Sequence, residues 1–387
     1  YPLTDDAQNA LSEAETGGAN REHSLEPKSV QSVLVVAKGS TPATHKANLS
    51  AGANGADPEI TLPPINPSSN NSNPPEAKKE RHAKDAWAVL RDNFGLDHSL
   101  EGARIQSERN WYTKHQSYIH RVTGRANKFL YYVLSETNKR GLPSELALLP
   151  IVESAYDPFA YSHGRASGIW QFIPSTARAY GLKQTWWYDG RRDIIESTGA
   201  ALDYLEALNR QFKGNWLHAL AAYNSGQGTV SKAIKRNIKR GLPTDFWSLK
   251  LPSETQSYVP KLIAISQIIA SPEKYGLTLR PIPYEPAFRL VQIDSQIDLA
   301  QAAAMADITI KELYQLNPGF NQWATDPGGP WRLLIPINKA STFLSTLSAL
   351  PKEQRVQWQR YTIKYGDTLS TIAHRFNTTT DVLKEFN

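Results

Sequence analysis

The sequence predicts a mainly α-helical protein that ends in small β-α-α-β modules. Between residues 82 and 272, apolar side chains recur at helical spacing and few alternating runs interrupt them. All ten tryptophans lie at or after Trp87. A linker with Pro281, Pro283 and Pro286 then separates this helical region from short runs of β-forming residues. A chain of 387 residues with this pattern accommodates two or three domains.

The first 78 residues have the composition of a spacer. They contain nine prolines and one aromatic residue, Tyr1, and the stretch Leu62–Pro75 consists largely of Pro, Ser and Asn. Such a segment buries too little apolar surface to offset the loss of backbone entropy on folding. We expect residues 1–78 to be disordered, serving as a tether or having no specific role.

Residues 79–280 are predicted to form one all-α domain. Helical spacing covers 82–96 and 104–140, and Gly141 followed by Pro143 marks the boundary to the next helix. The remaining predicted helices cover 175–180, 193–212, 216–224, 227–239 and 254–270.

The C-terminal part contains a degenerate internal repeat. Residues 281–340 include a strand-like run at 288–293, two short helical stretches and a second strand-like run at 333–336. Residues 341–359 are predicted to be a helical linker. Residues 360–387 then begin with the same pattern but contain no closing strand. We expect this second copy to be partial, with an unpaired sheet edge.

Charge and composition exclude several classes of function. The formal net charge is +6, and the densest basic run, Lys232–Arg240, has the pattern of a solvated helix face, so we expect no nucleic-acid partner. The absence of cysteine excludes disulfides, thiolate metal sites and cysteine nucleophiles. The nine histidines are scattered without ligand spacing, so we expect neither a metal site nor a cofactor. No apolar run is long enough for a transmembrane helix.

Glu153 follows the apolar run Leu146–Val152, which predicts a helix that is buried nearly all round. At the C-terminal end of this helix, both the helix dipole and apolar surroundings disfavour a negative charge. Both effects favour a carboxyl group that stays protonated near neutral pH, as a general acid requires. The alternative is a solvated glutamate at a helix end with no catalytic role.

The segments after Glu153 suit a saccharide groove. Residues 156–177 combine aromatic residues with Ser and Gln. Aromatic faces pack on pyranose rings, and the polar side chains form hydrogen bonds with sugar hydroxyl and amide groups. Tyr223 and Asn224 end a later predicted helix and can point into a cleft. Taken alone, a tyrosine at position 223 is more often a core residue, and an asparagine at position 224 is more often a helix C-cap.

Four ordered motifs in this region resemble those of the soluble-lytic-transglycosylase family, and the fit is best to its membrane-bound, D-type branch. The motifs are Glu153-Ser154, Gly168-Ile-Trp-Gln-Phe-Ile-Pro174, Ala222-Tyr-Asn224 and Glu254-Thr-Gln-Ser-Tyr-Val259. Trp170 stands where most of the family has methionine. The resemblance covers residues 85–340 and implies a lysozyme-like, all-helical catalytic domain.

The C-terminal repeat resembles a LysM module, which binds N-acetylglucosamine polymers. Its second copy contains the specific start Gly366-Asp-Thr-Leu369. The first copy has Ser295-Gln-Ile-Asp-Leu299 at that place, so we expect a degenerate LysM-like domain that packs but no longer binds.

The resemblance implies a mechanism. The family cleaves the β-1,4 bond between N-acetylmuramic acid and N-acetylglucosamine in peptidoglycan without water, and leaves a 1,6-anhydromuramoyl end. By motif position, Glu153 resembles the single catalytic acid and base of that family. The positions implied to contact substrate or to support Glu153 are Ser154, Ser162, Gln171, Tyr223, Asn224 and Tyr258.

A glycosidase with two catalytic carboxylates would need a second one beside Glu153. Asp157 is interpreted as a turn residue. Asp189 and Asp193 flank Arg191 and Arg192 and are interpreted as structural ion pairs.

Two alternatives stay open at this point. A goose-type lysozyme would hydrolyse the same polymer on the same kind of fold, and a glycan-binding protein would have an inactive catalytic domain. The resemblance also implies peptidoglycan strands as the partner, a monomeric protein, and a periplasmic or cell-envelope location, with outer-membrane attachment through a segment outside this chain.

Overall fold

The computed structural model describes residues 33–37, 84–356, 358–375 and 380–385. The chain divides into two compact units. One contains the described residues 84–356, and the other contains the strand Val33–Ala37 together with the described residues from Trp358 onward. Apart from that strand, the segment 1–78 that the sequence predicts to be disordered lies outside the described residues.

The mainly helical fold is confirmed. The α-helices of the N-terminal part of the large unit are Ala86–Asp92, Ala103–Lys114, Gln116–Ala126, Leu130–Lys139, Leu149–Ser154, Pro174–Ala179, Ile194–Gln211, Trp216–Ser225, Gln227–Lys239 and Ser253–Ala270. Short 3₁₀ helices are Ser144–Leu148, Phe246–Ser248 and Pro272–Tyr275. No helix among the described residues combines the length and the apolar character needed to cross a membrane.

The predicted helical stretch 104–140 consists of three helices rather than one. His115, with φ −116° and ψ 58°, interrupts the first and second helices, and residues 127–129 separate the second and third. Apolar spacing continues across both breaks because all three helices bury one face in the same core. Spacing alone therefore could not locate these boundaries.

The helix Ser253–Ala270 lies at the centre of the large unit. Every residue from Leu262 to Ile269 is buried, and the helix packs on Ala103–Lys114, Trp216–Ser225 and Leu149–Ser154. A helix that is apolar on all sides is stable only when other helices cover it. This burial fixes the N-terminal turns of the same helix, where Glu254 and Tyr258 are located.

The first β-α-α-β repeat is present as predicted. Strands Phe288–Gln292 and Arg332–Pro336 pair antiparallel, with Leu290 opposite Leu334. Helices Leu299–Met305 and Ile310–Leu316 lie between the strands in sequence.

The helix Ala340–Ala349 is part of this module and not a linker. It places Ala340, Phe343 and Leu347 in the same apolar core as Ile293 and Leu333. The predicted boundaries at 340 and 341 are therefore wrong for this segment. Its serine and threonine side chains lie mainly on exposed positions, whereas its apolar face completes the core.

The smaller unit contains an antiparallel pair of strands, Val33–Ala37 and Trp358–Thr362, with Leu34 opposite Tyr361. The strand that the sequence predicts to have an unpaired edge therefore has a partner. Helices Leu369–Arg375 and Thr380–Glu385 follow, and Ile372, Ala373 and Leu383 form a small core.

Candidate active site

Glu153 is the penultimate residue of the short helix Leu149–Ser154, as its apolar run predicts. The helix ends because Ala155 and Tyr156 both adopt left-handed dihedral angles, with φ of 52° and 57°. Tyr156 is fully buried, and its hydroxyl donates to the carbonyl of Ala147 at 2.6 Å. Consecutive non-glycine residues in this conformation are strained, and such strain concentrates at functional sites.

The Glu153 carboxyl accepts a hydrogen bond from a tyrosine of the central helix. The hydroxyl of Tyr258 donates to Glu153 Oε1 at 2.5 Å. Burial raises the pKa of Glu153 to about 7, the Tyr258 hydrogen bond opposes this increase, and the charge of Glu254 adds to it. The side chain remains partly exposed, so a ligand can reach it. This carboxyl can therefore give up and take back a proton near neutral pH.

Tyr223 lies within electrostatic reach of Glu153. Burial first, and then the charge of Glu153, raise the pKa of Tyr223 well above its ordinary value. Its hydroxyl donates to the carbonyl of Trp170 at 3.0 Å, and its ring makes an edge contact with Phe172. Tyr223 is therefore a neutral phenol that connects the Ala-Tyr-Asn motif to the motif around Gln171.

Ser154 joins the Glu153 helix to the next motif. Its hydroxyl donates to the carbonyl of Ile169 at 3.0 Å and contacts the carbonyl of Pro150 at 3.2 Å. The structure thus places Ser154 next to Glu153 with its hydrogen bonds directed to the backbone. It holds the end of the helix against the loop that carries Gln171.

The loop 160–172 carries Ser162 and Gln171. Ser162 Oγ accepts from the amide of Ala166 at 3.0 Å. Gln171 has a φ of 51°, and its amide group donates to the carbonyl of Gly168 at 2.8 Å. Both side chains therefore stabilise the loop internally and remain partly exposed.

Asn224 connects the ends of two helices. Its amide nitrogen donates to Glu254 Oε1 at 3.3 Å, and the hydroxyl of Thr255 donates to Asn224 Oδ1 at 2.7 Å. Asn224 is the penultimate residue of the helix Trp216–Ser225, whose C-cap is Gly226, so the helix ends one residue later than predicted. Its side chain fixes that helix end to the start of the helix that carries Tyr258.

Glu254 begins the fourth motif but was not among the predicted site residues, and its charge acts on Glu153. It lies in the first turn of its helix, four residues before Tyr258, so both project from the same helix face. The i, i+4 spacing to Tyr258 was a usable signal. The distance in sequence to Glu153 gave no indication of the electrostatic coupling between the two carboxyl groups.

The other acidic residues have structural partners. Asp157 forms an ion pair with Arg125 at 3.2 Å and caps the amide of Phe159, which agrees with its interpretation as a turn residue. Asp189 pairs with Arg191 at 2.7 Å, as expected. The expected partner of Asp193 was wrong: Asp193 binds Arg332 at 3.1 Å, because the C-terminal module brings that arginine to the start of its helix.

Among the described residues, no group of His, Asp and Glu has the arrangement of a metal site. The fully buried carboxylate of Glu145 is instead bound by backbone amides. It accepts from the amides of Gly95 and Leu96 and contacts His98 Nε2 at 3.0 Å.

With this geometry established, comparisons with known proteins decide the family. The family described as Transglycosylase SLT domain matches residues 132–243. Membrane-bound lytic murein transglycosylase D of Escherichia coli (strain K12) is 42% identical over 317 residues, which cover 78% of this chain and 69% of that protein. This chain belongs to the lytic murein transglycosylase family. The matched segment contains Glu153, Gln171, Tyr223 and Asn224.

Two further family matches cover the C-terminal modules. The family described as Lytic transglycosylase MltD, LysM-like domain matches residues 287–352, and LysM domain matches 361–387. The first range includes the helix Ala340–Ala349, in agreement with its packing. A predicted degenerate LysM-like domain and a LysM-type second copy are thus confirmed as family assignments.

More distant relatives are similar over shorter ranges. A putative soluble lytic murein transglycosylase of Haemophilus influenzae is 26% identical over 197 residues, covering 47% of this chain and 32% of that protein. Among solved structures, an inactive mutant of the lytic transglycosylase Slt from Pseudomonas aeruginosa is 27% identical, with a TM-score of 0.30. The matched region covers 39% of this chain and 25% of the chain in that structure.

Proposed function

We propose that this protein cleaves the β-1,4 bond between N-acetylmuramic acid and N-acetylglucosamine in peptidoglycan without water, with Glu153 as the single acid and base. The observation that carries the proposal is the environment of Glu153. Its carboxyl is held by Tyr258 at a helix end where burial raises its pKa to about 7. Family membership supports peptidoglycan as the substrate.

In the first step, protonated Glu153 donates its proton to the glycosidic oxygen, and the bond from that oxygen to C1 of the muramoyl residue breaks. The leaving sugar takes the proton, and positive charge develops at C1. The Tyr258 hydroxyl stabilises the carboxylate left on Glu153 because it donates to Oε1. We assign the support of the developing charge to the N-acetyl group of the substrate, with Tyr223 nearby.

In the second step, the Glu153 carboxylate takes the proton of the C6 hydroxyl, and O6 attacks C1 of the same sugar. A 1,6-anhydro ring forms and Glu153 returns to its protonated state, so no water is consumed. Attack within one molecule avoids the entropic cost of bringing in a separate nucleophile. One carboxyl with a pKa near 7 suffices for both transfers.

We assign saccharide binding to Ser154, Ser162, Gln171 and Asn224. Their polar groups lie on the loop and helix ends around Glu153 and are only partly buried. Gln171 and Ser162 are bound within an accessible loop, where sugar hydroxyl groups can add to the existing hydrogen bonds. We assign binding of N-acetylglucosamine-containing glycan to the LysM-type module at 361–387, and propose a monomer located in the cell envelope.

A goose-type lysozyme reaction is the competing possibility, since Glu254 places a second carboxyl within electrostatic reach of Glu153. A hydrolase would use such a group to activate water. Two observations count against a hydrolase. Glu254 already accepts a hydrogen bond from Asn224 and has an exposed side chain. Asp157, the acidic residue nearest to Glu153 in sequence, is paired with Arg125.

The test is a mass spectrum of the fragments released from purified peptidoglycan by the wild type and by Glu153→Gln. We expect anhydro ends from the wild type, one water lighter than reducing ends, and no fragments from the variant. Reducing ends would establish a hydrolase. Release by both proteins at similar rates would contradict the role of Glu153.

A further inference from the structure

The LysM-like module at 287–352 packs against one segment of the catalytic part, residues 183–193. The amide of Asp189 donates to the carbonyl of Gly319 at 2.8 Å, and the amide of Asn321 donates to the carbonyl of Trp187 at 2.8 Å. A Cβ atom on Gly319 would lie 2.8 Å from the ring of Tyr188. The two surfaces therefore meet with no space for a single added methyl group.

Ion pairs connect the module to both ends of the segment 183–193. Arg332 of the module binds Asp193 at 3.1 Å and Glu196 at 2.8 Å. Asp326 of the module binds Lys183 at 3.0 Å and accepts from the hydroxyl of Thr185 at 2.8 Å. Arg332, Asp193 and Asp326 are buried, whereas their partners Glu196 and Lys183 remain partly exposed to solvent.

Residues 183–193 in turn contact the loop 160–172. The carboxylate of Asp189 accepts from Nε and Nη2 of Arg191, at 2.9 and 2.7 Å. Arg191 Nη1 donates to the carbonyl of Arg165 at 2.6 Å and contacts that of Phe172 at 3.4 Å. Arg191 thus holds two separate points of the loop that carries Ser162 and Gln171.

The backbone of Arg191 also sets the position of the loop by contact. A Cβ atom on Gly168 would lie 2.0 Å from the carbonyl oxygen of Arg191, and Gly168 has a φ of 81°. Only glycine fits where these two backbone segments approach each other. The Gly168 that begins the second motif is therefore required by its packing against Arg191.

We propose that the LysM-like module is a brace for the saccharide groove, and that Arg191 is the positioning residue through which it acts. The series of contacts runs from Gly319 to Asp189, then to Arg191, and then to the loop 160–172. The identity of the loop as a saccharide groove rests on the proposed function. The brace determines how well the loop is ordered for binding, and it leaves the acidity of Glu153 to Tyr258 and Glu254.

Two glycine-to-alanine variants of the full-length chain form a matched pair for the test. Gly319→Ala inserts a methyl group against Tyr188 and the backbone of Asp189, on the contact path to Arg191. Gly199→Ala is the control, because a Cβ atom on Gly199 would have no heavy atom within 4 Å and would touch no contact of the junction. Hydrogen exchange of the peptide covering 160–172 then reports the order of the loop directly.

We expect Gly319→Ala to increase amide exchange in 160–172 by about tenfold relative to the wild type, and Gly199→Ala to leave it within about twofold. Arg191→Lys keeps a cation beside Asp189, but one ammonium group cannot bind Asp189 at two points and also reach the loop carbonyls, so it should loosen the same peptide without any steric insertion. Equal exchange in all four proteins would overturn the brace.

Kinetics on a soluble peptidoglycan tetrasaccharide add the functional readout. Gly319→Ala should raise KM about fivefold while the pKa seen in the pH profile of kcat stays at the wild-type value. An altered pKa with an unchanged KM would overturn the proposal. If the wild type released no anhydro product, the proposed function would fail, whereas the exchange experiment would still decide whether the module braces the loop.

Discussion

Two carboxyl groups lie eight residues apart at opposite ends of the segment 144–154, and their surroundings differ. Glu145 is fully buried and accepts from the backbone amides of Gly95 and Leu96 as well as contacting His98. Glu153 is partly exposed and is bound by the Tyr258 hydroxyl. Fixed amide donors hold Glu145 in a structural role, whereas burial and the charge of Glu254 raise the pKa of Glu153 to about 7, so its proton can be transferred near neutral pH.

The comparison predicts that Glu153→Gln removes activity and leaves the fold intact. The amide cannot donate a proton to the glycosidic oxygen and take it back, so we expect turnover of peptidoglycan to fall by about 10³-fold or more. The free energy of unfolding in urea should change little because Glu153 is a partly exposed side chain. A loss of activity that accompanies unfolding would contradict the division of roles.

Glu145→Gln should show the reverse behaviour. It replaces a buried carboxylate that accepts from two backbone amides, so we expect the free energy of unfolding to fall by about 2 to 3 kcal/mol in urea denaturation. Turnover per folded molecule should stay near the wild-type value. A large loss of turnover at unchanged stability would place Glu145 in the catalytic machinery and remove the contrast.

Tyr258→Phe removes the hydroxyl group that donates to Glu153. Its hydrogen bond stabilises the charged carboxylate and so lowers the pKa of Glu153. Without it the pKa should rise above about 7, and the alkaline limb of the pH profile of kcat should move to higher pH, since activity requires the protonated form. We also expect a loss of about tenfold in kcat, because the carboxylate left after proton donation loses its partner.

Glu254→Gln should produce the smallest effect and the opposite sign. The negative charge of Glu254 raises the pKa of Glu153, so its removal should move the alkaline limb to lower pH, by less than the shift in Tyr258→Phe. Glutamine retains an oxygen that can accept from Asn224. Glu206→Gln, at a partly exposed residue that pairs with Arg140, serves as the control and should leave the profile unchanged. Loss of anhydro product in Glu254→Gln would indicate a direct catalytic role.

Local patterns in the sequence predicted the part of the site that depends on neighbouring residues. The apolar run before Glu153 predicted a buried helix with a carboxyl at its end, and burial does raise its pKa. Motif order predicted Tyr223 and Tyr258, which the fold brings within reach of Glu153.

The sequence could not predict pairings between distant segments. The ion pair of Asp193 with Arg332 joins residues 139 positions apart, and the electrostatic effect of Glu254 on Glu153 also acts between distant segments of the chain. The helix Ala340–Ala349 was misassigned for the same reason, since only the folded module shows what covers its apolar face. Such pairings follow from packing, which spacing and composition do not specify.

The most direct measurement is a digestion of purified peptidoglycan in water labelled with heavy oxygen, followed by mass spectrometry of the released ends. If Glu153 is the single acid and base and O6 of the substrate is the nucleophile, the new ends are anhydro ends without heavy oxygen. One heavy oxygen in each new reducing end would mean that water attacks C1, and it would contradict the one-carboxylate mechanism.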